Sequence, residues 1–185
     1  MAVIDQHRTW LQVEQRLETE TDPVLRHNLE LLLTHMKAEA ALDVPTLMST
    51  VAETAVYKTF EQDPSTWPRG KAAVQEFYEA FAASGAQKLQ LEMDRLVVDR
   101  HCILTEGIMR MAWPGHTLQA MGIEVDDPDA DYLFETRMAT LWPITEDGLF
   151  DGEDTYTGSD GFAGIADRKL SPEDIVLYKP VGIAH

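Results

Sequence analysis

The spacing of apolar residues along the chain changes once, from a helical period in the first half to alternation in the second. Residues 5–20 carry scattered apolar positions and predict a leading helix, whereas residues 23–42 and 71–83 repeat apolar residues at three- and four-residue intervals, the spacing of amphipathic helices. The β-prone stretch AVYKTF lies between the last two, at residues 55–60. The first half is therefore predicted to be mainly helical, with one short strand.

Local signals mark where two of these helices begin. Asp22 offers a side-chain cap, and Pro23 a first-turn proline, at the start of the long helix. Asp43 and Pro45 do the same for a short helix that is predicted to run through residues 48–51.

Alternation of apolar and polar residues takes over in the second half. It predicts four strands, at residues 89–99, 103–113, 132–144 and 149–157. Tight turns are predicted within the first pair and within the last pair of these strands. Residues 114–131 predict a long loop between the two pairs, and loops of that length are often functional.

This order of elements, with helices first and a run of long antiparallel strands after them, predicts an α+β domain in which helices pack against one face of a curved sheet. A length of 185 residues suits a single domain. We expect residues 1–22 to form an N-terminal helical extension, 23–157 the domain itself, and 158–185 a tail with a short helix beginning at Ser171. The tail is expected to cover a pocket mouth or to contact a partner subunit.

The charge balance limits the classes of partner that the protein is expected to bind. The chain has 15 basic and 32 acidic residues and a formal net charge of −17, which repels phosphate backbones and anionic lipid. Nucleic acid and membrane surfaces are therefore not expected as partners. The acidic residues either favour a neutral or cationic ligand or form a solvated surface, and the second interpretation is preferred.

The remaining composition predicts a cytoplasmic protein without a metal. Cys102 is the single cysteine, which excludes an intramolecular disulfide and suits a reducing compartment. Residues 1–21 lack the apolar run of a signal peptide, and no apolar stretch has the length of a membrane span. The six histidines have no metal-site spacing.

Four stretches carry a resemblance to a known family: the acidic turn before residues 44–51, AVYKTF at 55–60, GKAAVQEFYEAF at 70–81, and GIMRMAWPG at 107–115 followed by LWPITEDGLF at 141–150. Together they resemble the nuclear transport factor 2-like (SnoaL-like) superfamily, which includes ketosteroid isomerases, scytalone dehydratase, limonene epoxide hydrolase and polyketide cyclases. The resemblance implies a cone-shaped sheet wrapped around a deep apolar pocket, and no cofactor.

The ketosteroid isomerase pattern implies site positions in this chain. His35 corresponds to that family's oxyanion-hole tyrosine and Tyr78 to the tyrosine that supports it. Thr59 stands where the family has its proton-shuttling aspartate, and Thr140 where it has a second acid. Because a threonine hydroxyl cannot remove a carbon-bound proton near neutral pH, steroid isomerisation by that mechanism is not expected.

Strand alternation adds further side chains to the pocket. The residues predicted to face inward with Thr59 and Thr140 are Tyr57, Met109, Met111, Trp113, Met138, Asp154 and Tyr156. The opposite, convex face is predicted to carry Glu106, Arg110, Glu135 and Arg137, and an ion-paired homodimer interface is expected there.

Acid–base chemistry is predicted for a subset of these residues. His35 is either a hydrogen-bonded core histidine or an acid–base group, with Glu39 one helical turn away to orient it. Asp154 is predicted to be a buried catalytic carboxylate, with Glu153 as its rival if the strand register shifts by one residue.

Three aromatic or imidazole side chains have two interpretations each. Tyr57 and Tyr78 either donate hydrogen bonds to a substrate oxygen or pack with their hydroxyls satisfied. His116 either faces the substrate or is exposed in its loop.

The function predicted from these residues is that of a cofactor-independent lyase or dehydratase. It would use His35 with Glu39, and Asp154 with Tyr57, on the two ends of a bond in a bulky apolar aromatic, polyketide or terpenoid substrate, such as a lignin-derived aromatic dimer. One alternative is a non-catalytic module that binds a small molecule. Another is an epoxide hydrolase or isomerase of the same fold, and the hydrolase would need an inward arginine.

Overall fold

The computed structural model describes residues 2–180. The helices are α1 (Leu11–Thr19), α2 (Pro23–Ala41), α3 (Val44–Ser49), α4 (Lys71–Ser84) and α5 (Gly115–Ala120). The strands are β1 (Ile4–Asp5), β2 (Val51–Thr59), β3 (Leu89–Val98), β4 (Cys102–Pro114), β5 (Asp131–Pro143), β6 (Phe150–Thr157), β7 (Lys169–Leu170) and β8 (Ile175–Val176). Single 3-10 turns lie at Gln6–Arg8, Pro64–Thr66, Ile165–Asp167 and Pro172–Asp174.

The main sheet is mixed and has the strand order β2-β6-β5-β4-β3, with β7 paired to β5. Strands β3 to β6 pair antiparallel in chain order, whereas β2 runs parallel to β6. The predicted α+β class is confirmed. Helix α2 buries Leu29, Leu32 and Met36 in one apolar cluster with Trp142 and Phe150 of the sheet, because these three helical positions share one face.

The predicted helix starts are confirmed by their caps. The Asp22 carboxylate accepts hydrogen bonds from the backbone N–H groups of Val24 at 2.9 Å and Leu25 at 3.4 Å. The Asp43 carboxylate accepts one from the N–H of Thr46 at 3.1 Å, at the start of α3. Each carboxylate satisfies N–H groups that have no partner inside the helix.

Three sequence expectations about element bounds are wrong. The leading helix begins only at Leu11, because residues 4–8 form β1 and a 3-10 turn. Val51 starts strand β2 and does not end helix α3. The predicted loop at 114–131 contains helix α5, which is closed at its C-terminal end by the N–H of Met121.

The N-terminal segment covers the exposed edge of strand β3. The side-chain amides of Gln6 and Gln12 donate to the carbonyls of Gln87 and Met93, and the first of these bonds measures 2.9 Å. The hydroxyl of Thr9 accepts from the N–H of Leu91 at 3.3 Å. These bonds occupy backbone groups that a free sheet edge would offer to another chain.

The C-terminal tail packs on that N-terminal segment. Strand β8 pairs in parallel with β1, and the N–H of Tyr178 donates to the side-chain carbonyl of Gln6 at 2.9 Å. The helix predicted to start at Ser171 is one 3-10 turn with a capping box to Asp174. Residues 181–185 of the predicted tail lie outside the described residues.

The convex face carries the predicted charged residues in ion pairs within one chain. Arg110 contacts Glu135 at 2.7 Å and Glu92 at 2.6 Å, and Arg137 contacts Glu106 at 2.5 Å. A homodimer through this face stays a prediction. Among residues 2–180, no helix has the length and apolarity needed to cross a membrane.

Candidate active site

A cavity of about 270 Å³ lies between the helices and one face of the main sheet. Helices α2 and α4, strands β2 to β6, the loop after β2 and the N-terminal segment all contribute to its wall. The lining residues are Thr9, Met36, Glu39, Tyr57, Lys58, Thr59, Gln62, Thr66, Trp67, Pro68, Phe77, Leu89, Leu91, Met109, Met138, Thr140, Trp142, Glu153 and Thr155.

Apolar atoms make up most of the wall surface, although about half of the lining residues are polar or charged. Three methionines contribute, Met36 from α2, Met109 from β4 and Met138 from β5. Thioether and aromatic side chains hydrate weakly and make a low-dielectric surface around any charge that the cavity contains.

Two carboxylates, Glu39 of α2 and Glu153 of β6, face this cavity. Burial raises the pKa of Glu39 from its ordinary value of 4.5 to about 8, and the charge of Glu153 adds to the increase. Glu39 is therefore mostly protonated at neutral pH. Glu153 instead accepts a hydrogen bond from the Tyr78 hydroxyl at 2.9 Å.

A hydrogen-bonded chain runs from Glu153 into the core. The Tyr78 hydroxyl lies 3.0 Å from Nε2 of His35 and 3.3 Å from the Tyr57 hydroxyl. On the other side of the imidazole ring, Nδ1 lies 2.7 Å from the Thr50 hydroxyl. Helix α2, helix α4 and strands β2 and β6 thus converge on one polar cluster.

His35 itself does not reach the cavity. Its exposed fraction is 0%, and its ring packs edge-on against Trp142 and Phe150, with centroids 5.4 Å away in each case. Nε2 lies 3.5 Å from the Glu153 carboxylate. Any chemistry of His35 therefore passes through Tyr78 or Glu153.

The two tyrosines are neutral hydrogen-bond donors. Burial, and after it the charge of Glu153, raises the pKa of Tyr57 well above its ordinary value, and the same two causes raise the pKa of Tyr78. Of the two, only Tyr57 contributes to the cavity wall.

The structure places the predicted residues of strand β6 differently. Thr140 pairs with Thr155 across the β5–β6 ladder, so Glu153 and Thr155 share the cavity face and Asp154 and Tyr156 lie on the other. Asp154 contacts Lys58 at 2.7 Å. Tyr156 is 44% exposed and stacks on Phe60 at 4.3 Å. The predicted register of β6 is therefore wrong by one residue, and the rival Glu153 is the inward acid.

Other predicted site residues divide into two groups. Those that line the cavity are Glu39, Tyr57, Thr59, Met109, Met138 and Thr140, and their functional roles stay predictions. Met111 pairs with Leu89 and Phe134 beyond the cavity wall. His116 is exposed in the first turn of α5, with its N–H bonded to the carbonyl of Pro128, so the substrate-facing interpretation is wrong.

Sequence reasoning missed Thr50, Thr9 and Trp67. Thr50 ends α3, Thr9 lies in the segment predicted to be helical, and Trp67 lies in a loop. No periodic pattern covers such positions, and contacts distant in sequence bring them to the site. Among residues 2–180, no group of three or more histidine, cysteine, aspartate or glutamate side chains is arranged to hold a metal ion.

Comparison of the fold with solved structures finds clear similarities. A protein of Shewanella denitrificans OS-217 named as a SnoaL-like polyketide cyclase superposes with a TM-score of 0.63 at 13% identity, over 79% of this chain and 98% of that one. A nuclear transport factor 2-like protein of Anabaena variabilis ATCC 29413 gives 0.55 at 15% identity, over 77% and 97%. An epoxide hydrolase of M. tuberculosis that is named as similar to limonene epoxide hydrolase gives 0.54 at 13% identity, over 77% and 91%.

Sequence comparison adds nothing to these matches. No family model matches the chain, and no curated protein matches it. Identities this low establish the fold alone. The chain has the cone-shaped α+β fold of nuclear transport factor 2-like and SnoaL-like proteins, as its sequence patterns predict.

Proposed function

We propose that the chain is a cofactor-independent lyase, and that the cavity between Glu39 and Glu153 is its active site. One observation carries the proposal: two carboxylates face one largely apolar cavity, and burial raises the pKa of one of them, Glu39, to about 8. Where the surroundings of two acids separate their pKa values, the acid with the higher pKa can serve as general acid and the other as general base.

Glu39 has the properties of the acid. With a pKa of about 8 it holds a proton at neutral pH, and it can transfer that proton to the oxygen of a leaving group. A general acid whose pKa lies near the working pH combines a populated acid form with a strong driving force for transfer.

Glu153 has the properties of the base. Its charge is held beside the cavity with a side-chain exposure of 19%. In the elimination, Glu153 removes a proton from carbon, the C–H electron pair becomes the new double bond, and the neighbouring C–O bond breaks. The leaving oxygen takes the proton of Glu39 and departs as water or an alcohol, so every step is a proton transfer or a bond change within the substrate.

Tyr57 supports this pair from the cavity wall. Its buried hydroxyl stays protonated and can donate a hydrogen bond to a substrate oxygen that gains charge as the C–H bond breaks. Preorganised donors of this kind contribute most in sites from which water is excluded. Thr59 and Thr140 add hydroxyls to the same surface.

The wall indicates the substrate class. Methionine, leucine and aromatic side chains surround a space of about 270 Å³, slightly below the usual range of ligand pockets. We infer a neutral, largely apolar aromatic, polyketide or terpenoid substrate of one or two rings. Two of the similar structures are named as enzymes, a polyketide cyclase and an epoxide hydrolase, and this supports catalysis on the same fold.

The epoxide hydrolase alternative has less support. That family's constellation requires an arginine between two aspartates, but Arg110 and Arg137 are both paired with acids on the convex face. Within the described residues, the cavity wall contains no arginine.

The proposal is tested by a ligand screen followed by product analysis. Aromatic and polyketide-like β-hydroxy carbonyl compounds that raise the melting temperature are incubated with the protein, and loss of water or alcohol is followed by mass spectrometry. Glu153→Gln and Glu39→Gln are expected to abolish product formation. The neighbouring Asp154→Asn serves as a control and is expected to retain it. Ligands that stabilise the protein without any bond change would instead establish a binding module.

A further inference from the structure

His35 is sealed from the cavity but is connected to it through one hydroxyl. We propose that His35 stores the proton that Glu153 removes from the substrate, and that this proton reaches Nε2 of His35 through the Tyr78 hydroxyl. The inference rests on the proposed function for the source of the proton. It makes His35 a positioning residue that acts through Glu153, since it does not touch the substrate.

Thr50 decides which nitrogen of His35 is free to accept a proton. The Thr50 hydroxyl lies 2.6 Å from the Leu47 carbonyl, and because a carbonyl cannot donate, the hydroxyl proton occupies that bond. The 2.7 Å contact between Thr50 and His35 is therefore a hydrogen bond donated by Nδ1–H. Nε2 is left as the nitrogen that gains and loses a proton, and it points toward Tyr78.

The Tyr78 hydroxyl has one proton, and its two shortest contacts are both with groups that can accept it. Nε2 of His35 lies 3.0 Å from its oxygen and the Glu153 carboxylate 2.9 Å from it. While His35 is neutral, one of these two contacts has no proton in it. One added proton on Nε2 completes both bonds, since Nε2–H then donates to Tyr78 and Tyr78 donates to Glu153. The hydrogen-bond network can therefore bind one more proton.

The groups around His35 include one carboxylate beside Nε2. Glu153 of β6 places its carboxylate 3.5 Å from Nε2, close enough to stabilise an imidazolium. Tyr78 of α4 and Tyr57 of β2 are neutral, and Glu39, one turn along α2, holds its own proton at neutral pH. Trp142 and Phe150 pack edge-on against the imidazole ring.

The transfer step balances. Glu153, having taken a proton from carbon, passes it to the Tyr78 oxygen while Tyr78 passes its own proton to Nε2. The products are a carboxylate, an intact phenol and an imidazolium. Both protons move together, because burial raises the pKa of Tyr78 well above its ordinary value and disfavours a free tyrosinate.

Storing the proton away from the cavity hinders the reverse reaction. A proton left on Glu153 lies beside the new double bond and can add back to it. A proton on His35, whose exposed fraction is 0%, is separated from the product by Tyr78 and by the apolar ring packing. The proton then returns through Tyr78 and Glu153 once the product has left.

The hydrogen-bond arrangement is tested by ¹⁵N NMR of the histidine rings in the full chain, without substrate. Neutral His35 is expected to be the Nδ1–H tautomer. Thr50→Val is expected to lose this preference, because the Thr50 hydroxyl is the acceptor of the Nδ1 proton. Tyr57→Phe is the matched control and is expected to keep the Nδ1–H tautomer. Spectra recorded over a range of pH also give the midpoint of the His35 titration. An Nε2–H tautomer in the wild type, or an unchanged preference in Thr50→Val, would overturn the proposal.

The storage role is tested with a substrate found in the screen. His35→Asn is expected to lower kcat by about tenfold or more at unchanged KM, and to remove the limb of the pH–kcat profile whose midpoint matches His35 in the NMR titration. If His35→Asn does not fold, Tyr78→Phe interrupts the same path and is expected to show the same loss. A limb that persists in the variant refutes storage while leaving the lyase intact. If the wild type shows no turnover, the lyase proposal is wrong, and the storage role is wrong with it.

Discussion

Replacing Glu39 by glutamine is expected to stabilise the protein by an amount that grows with pH. The folded protein raises the pKa of Glu39 from 4.5 to about 8, so between these two values the unfolded chain has released a proton that the folded chain still holds. Each rise in pH across this window favours the unfolded state. Glutamine resembles the neutral acid in shape and cannot ionise, so the variant escapes this cost.

The magnitude follows from the width of the window. One pH unit is equivalent to about 1.36 kcal/mol for a single group. The cost is absent well below pH 4.5, reaches about 1 kcal/mol near pH 5 and about 3 kcal/mol at pH 7, and levels off near 5 kcal/mol above pH 8, given the shift of Glu39 from 4.5 to about 8. The difference in unfolding free energy between Glu39→Gln and the wild type is expected to follow that curve.

Urea unfolding at several pH values between 5 and 8 measures the difference, because the other titrating groups are common to both proteins and cancel. Glu30→Gln is the matched control, since Glu30 is exposed on the same helix and pairs only with Arg26 at 3.0 Å. Its effect is expected to stay within about 0.5 kcal/mol at every pH. A Glu39→Gln variant as stable as the wild type at both pH 5 and pH 8 would refute the buried, neutral acid on which the mechanism depends.

Three further predictions concern activity, Gly152 of strand β6 and the edge of strand β3. Glu153→Gln is expected to lower kcat/KM at least about 100-fold and Asp154→Asn less than about threefold, because only Glu153 faces the cavity; equal losses would contradict the β6 register. Gly152→Ala is expected to lower the free energy of unfolding, measured by urea titration, by at least about 3 kcal/mol, since its Cβ would lie 2.0 Å from the Val56 carbonyl oxygen. Gly122→Ala is the control, because a Cβ there has nothing within 4 Å, and is expected to lower it by about 1 kcal/mol. Thr9→Val is expected to lower the free energy of unfolding by about 1–2 kcal/mol, because the N–H of Leu91 loses its hydrogen-bond acceptor. The exposed Thr34→Val is the control and is expected to lower it by less than about 0.5 kcal/mol in the same urea titration. Similar values for both variants would show that the edge hydrogen bond is dispensable.

Local signals were sufficient for most of the secondary structure. The caps at Asp22 and Asp43 act within three residues of themselves, and the alternating strands are long enough for their period to be clear. The helix predicted over residues 5–10 is wrong for the opposite reason. Strand β1 exists because β8, some 170 residues later, pairs with it, and no local pattern contains that partner.

The same distinction explains the error in strand β6. Alternation divides GEDTYT into two faces but does not say which one faces inward, and both faces offer an acid, Glu153 or Asp154. The choice is made by the pairing of Thr140 with Thr155 and by Gly152, whose φ of 141° accompanies a register shift opposite Val51 and Val56. His35 is predicted to be a site residue from the resemblance to ketosteroid isomerases, but its sealing by Trp142 and Phe150 depends on packing that the sequence does not display.

The different roles proposed for Glu39 and Glu153 rest on their surroundings, since the two side chains are chemically identical. Glu153 receives the Tyr78 hydroxyl and lies within 3.5 Å of an imidazole that can take up positive charge. For Glu39 the causes of the pKa shift are burial and the charge of Glu153, and no hydrogen bond opposes them. Moving a donor from one acid to the other should therefore exchange acid and base without changing either glutamate. This sensitivity to single donors explains how one fold accommodates different chemistries at low sequence identity, while its helices and strands remain in place.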